Sequence, residues 1–232
     1  MSAMSLKELQ HLKKRGEILH HIQDQIPGFK IVRKKESALM KFLSFFLFFK
    51  DRFMTGYITV IYPNIYVPKW WGRRGKRWNS IELETLVHEY MLLRDRKRLG
   101  WVYNVLYLAP QIFALLAFGA FWDPWWALCL LFLLPIPSPT RTWLEFRAYK
   151  IGLLTRYWVL CNYEDKYEKR YWDFINKDGV SWVVKQFSSS ACYYMFPFES
   201  FLKKRFIKSL ENVKMNNKLS SGVIEIRNIL LG

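Results

Sequence analysis

Histidine and cysteine are scarce in this chain, at four and three of 232 residues. The cysteines (Cys129, Cys161, Cys192) are odd in number, widely spaced and form no CxxC pair, so neither a disulfide framework nor a thiolate zinc site is implied. A reducing compartment suits them. Three of the histidines (His11, His20, His21) crowd into the first helical segment, which leaves His88 alone in the remainder. Acidic residues are also few: 19 Asp and Glu face 36 Lys and Arg, for a net charge of +17. Such a surface favours polyanions, either nucleic acid or anionic lipid headgroups. No apolar run follows the first charges (Met1 to Glu8), so no secretory signal is expected. No internal repeat is visible.

The longest absence is of charge. From Leu99 to Thr140 the only charged residue is Asp123, with Arg98 and Arg141 on either side. A membrane-crossing helix needs roughly 20 apolar residues. Trp101 to Phe121 has that length, although Asn104, Pro110 and Gln111 weaken it, and Trp125 to Pro137 falls short. With Asp123-Pro124 as a turn, the stretch reads as an apolar helical hairpin tipped by Trp122, Trp125 and Trp126. Lipid, neighbouring subunits or the chain's own core would have to cover it.

What is present supports a sizeable core, since 51% of residues are hydrophobic and 18% aromatic. Leu6, Leu9, Leu12, Ile18, Leu19 and Ile22 give residues 5–24 the pattern of an amphipathic helix, ended by Pro27-Gly28. Phe29 to Arg33 reads as a short strand, Lys34 to Ser37 as a turn and Ala38 to Phe49 as a greasy helix. Tyr57 to Val67 is rich in β-formers and predicts one strand, bent at Pro63-Asn64 and suited to a sheet edge. Asn79 and Glu82 form a capping box for a helix from Ser80 to about Arg98. Further helices are expected from Arg141 to about Asn162, before Lys177-Asp178-Gly179, and from Glu199 to Lys214. Val223 to Leu231 alternates apolar and polar residues and predicts a strand.

Two basic clusters stand out. Arg73, Arg74, Lys76 and Arg77 lie among Trp70, Trp71 and Trp78, where guanidinium groups beside indoles suit stacked bases or a headgroup layer, or simply a solvated loop. Lys203, Lys204 and Arg205 form the second. A DNA-proximal binder is therefore one reading, without a recognised nucleic-acid fold signature behind it.

The chemistry sits in residues 84–95, Glu-Thr-Leu-Val-His88-Glu89-Tyr-Met-Leu92-Leu-Arg-Asp95. An HExxH helix sets two histidines one turn apart to grip zinc, while the glutamate between them activates a water. Here the second histidine is Leu92. Asp95 shares the face of His88 but lies about 10.5 Å further along the axis, too far to share one small ion with it.

The order of strand, HE-bearing helix, apolar insertion and a helix carrying Glu145 in a Glu-x-x-Ala-Tyr setting resembles the gluzincin zinc peptidases. The likeness is to small phage and bacterial members with an apolar insertion after the motif helix. It covers about Phe29 to Arg156, and Tyr193 to Phe198 looks like a family C-terminal element. The resemblance implies a helix-rich α+β fold with a minigluzincin-like core. It casts His88 and Glu145 as metal ligands, Glu89 as general base and the Tyr57–Val67 strand as the edge that receives peptide. Leu92 breaks the ligand set, so zinc, if bound at all, is expected to be held loosely.

The resulting layout is an N-terminal helix (1–28), a peptidase-like core in two parts (29–100 and 140–198), an inserted hairpin (101–139) and a basic C-terminal helix and tail (199–232). The expected function is that of a degenerate metallopeptidase-like protein of phage type, structural in a virion or membrane-interacting through the hairpin, in a larger assembly. The alternative is an active membrane-associated zinc peptidase using Glu89.

Overall fold

The structure is a computed structural model and describes residues 6–46, 53–72, 79–134, 136–161, 168–189, 194–216, 219 and 221–231. It is a helix-rich α+β fold. The basic loop carrying Arg73, Arg74, Lys76 and Arg77 lies outside the described residues, as do residues 47–49 of the expected greasy helix.

Helix α1 (Leu6–Gln25) buries Ile18 and Ile22, one turn apart, against the core. Gly28, at φ 78, turns the chain after Pro27 into β1 (Ile31–Arg33). Lys34–Glu36 forms a short 3-10 helix, and α2 (Ala38–Phe46) follows. The stretch read as one bent strand is instead two, β2 (Thr59–Ile61) and β3 (Asn64–Val67), turning at Tyr62-Pro63. Proline has no N–H to continue a ladder, so the break becomes a reversal rather than a bulge. β3 is central: it pairs antiparallel with β2 (Val60 opposite Ile65) and parallel with β1 (Val32 opposite Tyr66).

Helix α3 (Asn79–Leu99) ends in Arg96, Lys97 and Arg98, which complement its C-terminal dipole. Glu82 accepts from the Gly72 N–H (2.8 Å) and pairs with Arg15 (3.1 Å). Gly100, at φ 58 and with its N–H on the Arg96 carbonyl (3.0 Å), closes α3 and starts α4 (Trp101–Leu108) in a new direction. Two 3-10 helices, Gln111–Phe121 and Pro124–Leu133, form the rest of the apolar stretch. Asp123 accepts from the Trp125 N–H (3.1 Å) at the turn between them.

Helix α5 (Pro139–Cys161) runs through the middle of the body, against α3, α4, α6 (Glu168–Phe174), α7 (Val180–Phe187), α8 (Glu199–Asn216) and α9 (Ser221–Leu231). Gly179 was expected to stop a helix. Instead the chain passes from α6 to α7 through a π-helical turn (Ile175–Gly179), and a Cβ on Gly179 would lie 3.0 Å from Leu153. The glycine is there for close packing. The C-terminal segment is a helix, not a strand. Its Val223, Ile226 and Leu230 recur at i, i+3 and i+7 and are buried, so the helical period wins over the apparent alternation.

Candidate functional site

The site lies where α3 and α5 cross. Gly152 of α5 permits the approach: a Cβ there would meet Glu84 Cγ at 3.4 Å and His88 Cβ at 3.8 Å. Glu84 and His88 are one helical turn apart and so face this crossing together.

His88 and Glu145 come together directly, with Nε2 and Oε2 3.3 Å apart and both side chains buried. The other Glu145 oxygen accepts a 2.5 Å hydrogen bond from the Tyr107 hydroxyl of α4. The Arg141 guanidinium lies over the Tyr107 ring (4.8 Å), and Tyr149 packs on the His88 imidazole (4.3 Å between centroids). His88 Nδ1 is buried and has no hydrogen-bond partner among the described residues. Leu92, 4% exposed, belongs to the hydrophobic core, while Asp95 is taken up by Arg147 at 3.2 Å.

The fields at the site follow from this packing. Burial pushes the His88 imidazole down, but its hydrogen bond to Glu145 and the charges of Glu89, Glu145 and Glu84 carry it above its ordinary value. Burial pushes Glu145 up, yet His88, the Tyr107 hydroxyl and Arg141 hold it below the usual carboxylate range. The two therefore form a charged pair. Glu89 is partly buried, and burial raises it to about 7, with His88 and Lys34 pulling back and Glu145 adding to the rise. Glu84 also stands at about 7, raised by burial and lowered by Arg156 (3.8 Å away) and His88.

Sequence reasoning missed Lys34. It is 1% exposed, donates to the Phe53 carbonyl (2.6 Å) and lies 4.2 Å over the Phe53 ring. Burial brings its ammonium down to about 8, against the pull of Glu89. In a Lys-Lys-Glu-Ser run nothing distinguishes a buried lysine from a solvated one. Glu84 had a signal, a carboxylate four residues before His88. Tyr107 was concealed inside an apolar run.

Toward zinc the described residues bring two donor side chains together, His88 and Glu145. Catalytic zinc sites use three, and Leu92 has no donor atom. Among the described residues no group of three or more His, Cys, Asp or Glu is placed to hold an ion. What the residues do offer is a carboxylate, Glu89, that exchanges its proton near neutrality beside a buried ion pair.

Glu89 carries a stability consequence with a definite sign. Its carboxyl titrates at 4.5 in the ordinary state and at about 7 when folded. Between those values the folded state holds more protons than the unfolded one, so stability falls as pH rises through that window. Glu89→Gln is expected to leave the urea midpoint unchanged at pH 4 and to raise it at pH 8 by the equivalent of roughly 3 kcal/mol. An equal midpoint at pH 8 would show that Glu89 is solvated.

Comparisons with protein-family models, curated proteins and solved structures return no match.

Proposed function

We propose that this chain is a peptidase-like scaffold that has given up zinc hydrolysis and works as a structural, membrane-seated protein, of the kind the phage resemblance implies. One observation carries the reading. The two apolar 3-10 helices fold against each other and, apart from α4 at their foot, against little else among the described elements. None of the first arm's residues is buried, and Phe121, Trp122 and Trp125 at the tip are 87%, 86% and 76% exposed.

Lipid suits this projection better than a span would. No single helix among the described residues is long and apolar enough to cross a membrane, and Trp101–Leu108 and Gln111–Phe121 meet at 89°. At about 2 Å of rise per residue, each 3-10 arm reaches roughly 20 Å. The hydrocarbon core is about 30 Å thick, so the arms enter it without crossing. Arg96, Lys97 and Arg98 precede the apolar stretch and Arg141 follows it, where cations meet headgroups. Sedimentation of the full chain with lipid vesicles tests this: it should pellet with them, and a chain left in the supernatant would end the membrane reading.

A zinc peptidase is the second reading, favoured by one distance. Two ligands about 2.0–2.1 Å from a tetrahedral ion lie about 3.3 Å apart, as His88 Nε2 and Glu145 Oε2 do. We expect the purified protein to carry no stoichiometric zinc, and Leu92→His to restore binding by supplying the missing donor. Stoichiometric zinc in the unmodified protein, read by elemental analysis, would favour the peptidase instead.

A further inference from the structure

We propose that the body carries a second lipid contact, the N-terminal half of α8, which lies as an aromatic and basic ridge on an anionic headgroup layer. The inference rests on the membrane reading above and names the lipid class it selects.

Helix α8 buries Leu202, Phe206 and Leu210 at four-residue intervals. Phe201, Lys204 and Lys208, at i, i+3 and i+7, share the opposite face and are all exposed. Lys203 and Arg205 flank that face, also exposed. Phe198, just before the helix, is 65% exposed and Phe201 is 56% exposed. The apolar stripe of α8 is taken up by the core, so what the helix offers a headgroup layer is two exposed phenylalanine rings beside a cluster of cations, which anionic lipid attracts. The acidic residues offset this only in part: Glu199, which accepts from the Ser188 hydroxyl, and Glu211, on the same face one turn past Lys208, stand against Lys203, Lys204, Arg205 and Lys208, so the segment stays net positive.

Position argues for the same surface as the apolar arms. The Met195 carbonyl accepts from the Ser138 N–H (2.9 Å) and the Thr142 hydroxyl (3.1 Å), at the return leg of those arms. Ser138 in turn donates through its hydroxyl to the Ala109 carbonyl on the outgoing leg. The chain thus leaves the feet of the projection at Met195 and reaches the ridge within a few residues. Phe196 ties the segment together, with ring centroids 5.6 Å from Phe198 and 6.0 Å from Phe201. At the same foot Trp143 of α5 is 49% exposed, with the Arg147 guanidinium 4.9 Å over its ring. A body seated on its arms therefore brings this ridge to the headgroups.

The test uses the full chain and vesicles of phosphatidylcholine alone or mixed with anionic phosphatidylglycerol. The unmodified protein should bind both, and the mixed vesicles more tightly. Lys204→Gln with Lys208→Gln should weaken binding to the mixed vesicles roughly 30-fold and leave phosphatidylcholine binding unchanged, each cation near an anionic surface contributing about a factor of five. Phe198→Ser with Phe201→Ser should weaken binding to both. All four positions are exposed, and circular dichroism checks that the variants fold. If the unmodified protein binds neither vesicle, the membrane reading itself falls. If it binds and the lysine variant keeps its anionic preference, the arms stand and the ridge proposal falls. Loss of duplex DNA binding with vesicle binding intact would likewise overturn it, making the ridge a nucleic-acid surface.

Discussion

Replacing Glu145 by alanine should cost roughly 3–5 kcal/mol, one of the largest single-residue losses this fold can show, because it strands a buried imidazolium. Glu145 holds His88 at 3.3 Å with one oxygen and the Tyr107 hydroxyl at 2.5 Å with the other, so it joins α3, α4 and α5. For a chain of this size the loss corresponds to a melting temperature lower by roughly 10 °C.

The pH dependence separates this pair from a simple cavity. Glu145 is held below its ordinary value, so its contribution is present above pH 4.5 and is lost as pH falls through the folded value. His88 is held above its ordinary value, so its contribution is present below pH 6.5 and is lost as pH rises through the folded value. The cost of Glu145→Ala should accordingly peak near pH 5–6 and shrink on either side. Glu145→Gln, which keeps an acceptor for Tyr107 and loses the charge, should fall between. A cost under about 1 kcal/mol at pH 6, or one flat from pH 4 to 9, would show that no charged pair is present.

Much of this site was legible because its residues keep helical spacing. His-Glu on one helix and Glu145 on another define two faces, and burying both faces brings them together. The partners that complete the network left weaker marks. Tyr107 sits in Trp-Val-Tyr-Asn-Val-Leu-Tyr-Leu, where an apolar count hides a hydroxyl that a buried carboxylate needs. Gly152 and Gly179 matter for what they omit, a Cβ at a crossing, and a sequence does not say which glycine stands at a crossing. Val223 to Leu231 misled because three isoleucines and a valine satisfy two periods at once. Only contact with α1 and α5 chooses between them.

The last expected result concerns the apolar arms, and the structure says where to cut. Removing everything from residue 102 to 137 would take Tyr103 and Tyr107 with it and would test the Glu145 network as much as the projection. The feet offer a cleaner boundary. Ser138 donates to the Ala109 carbonyl, and the Thr140 hydroxyl donates to the Leu106 carbonyl at 2.6 Å, so the two legs are fastened to each other below the arms. A short glycine-serine linker in place of residues 111–134 should then bridge legs that are already adjacent. The arms themselves are self-contained: Gly119 lies against the Trp126 ring so closely that a Cβ would sit 2.7 Å from it, and Phe113 meets Phe132 at 5.6 Å. Because they pack chiefly on each other, the excised protein should melt cooperatively within a few degrees of the intact chain, stay soluble without detergent and bind phosphatidylcholine vesicles no longer. The ridge on α8 should leave it a weak, salt-sensitive affinity for anionic vesicles alone. A body that loses its cooperative melt on excision would show that the arms are its core, and vesicle binding at full strength without them would show that lipid meets the protein elsewhere.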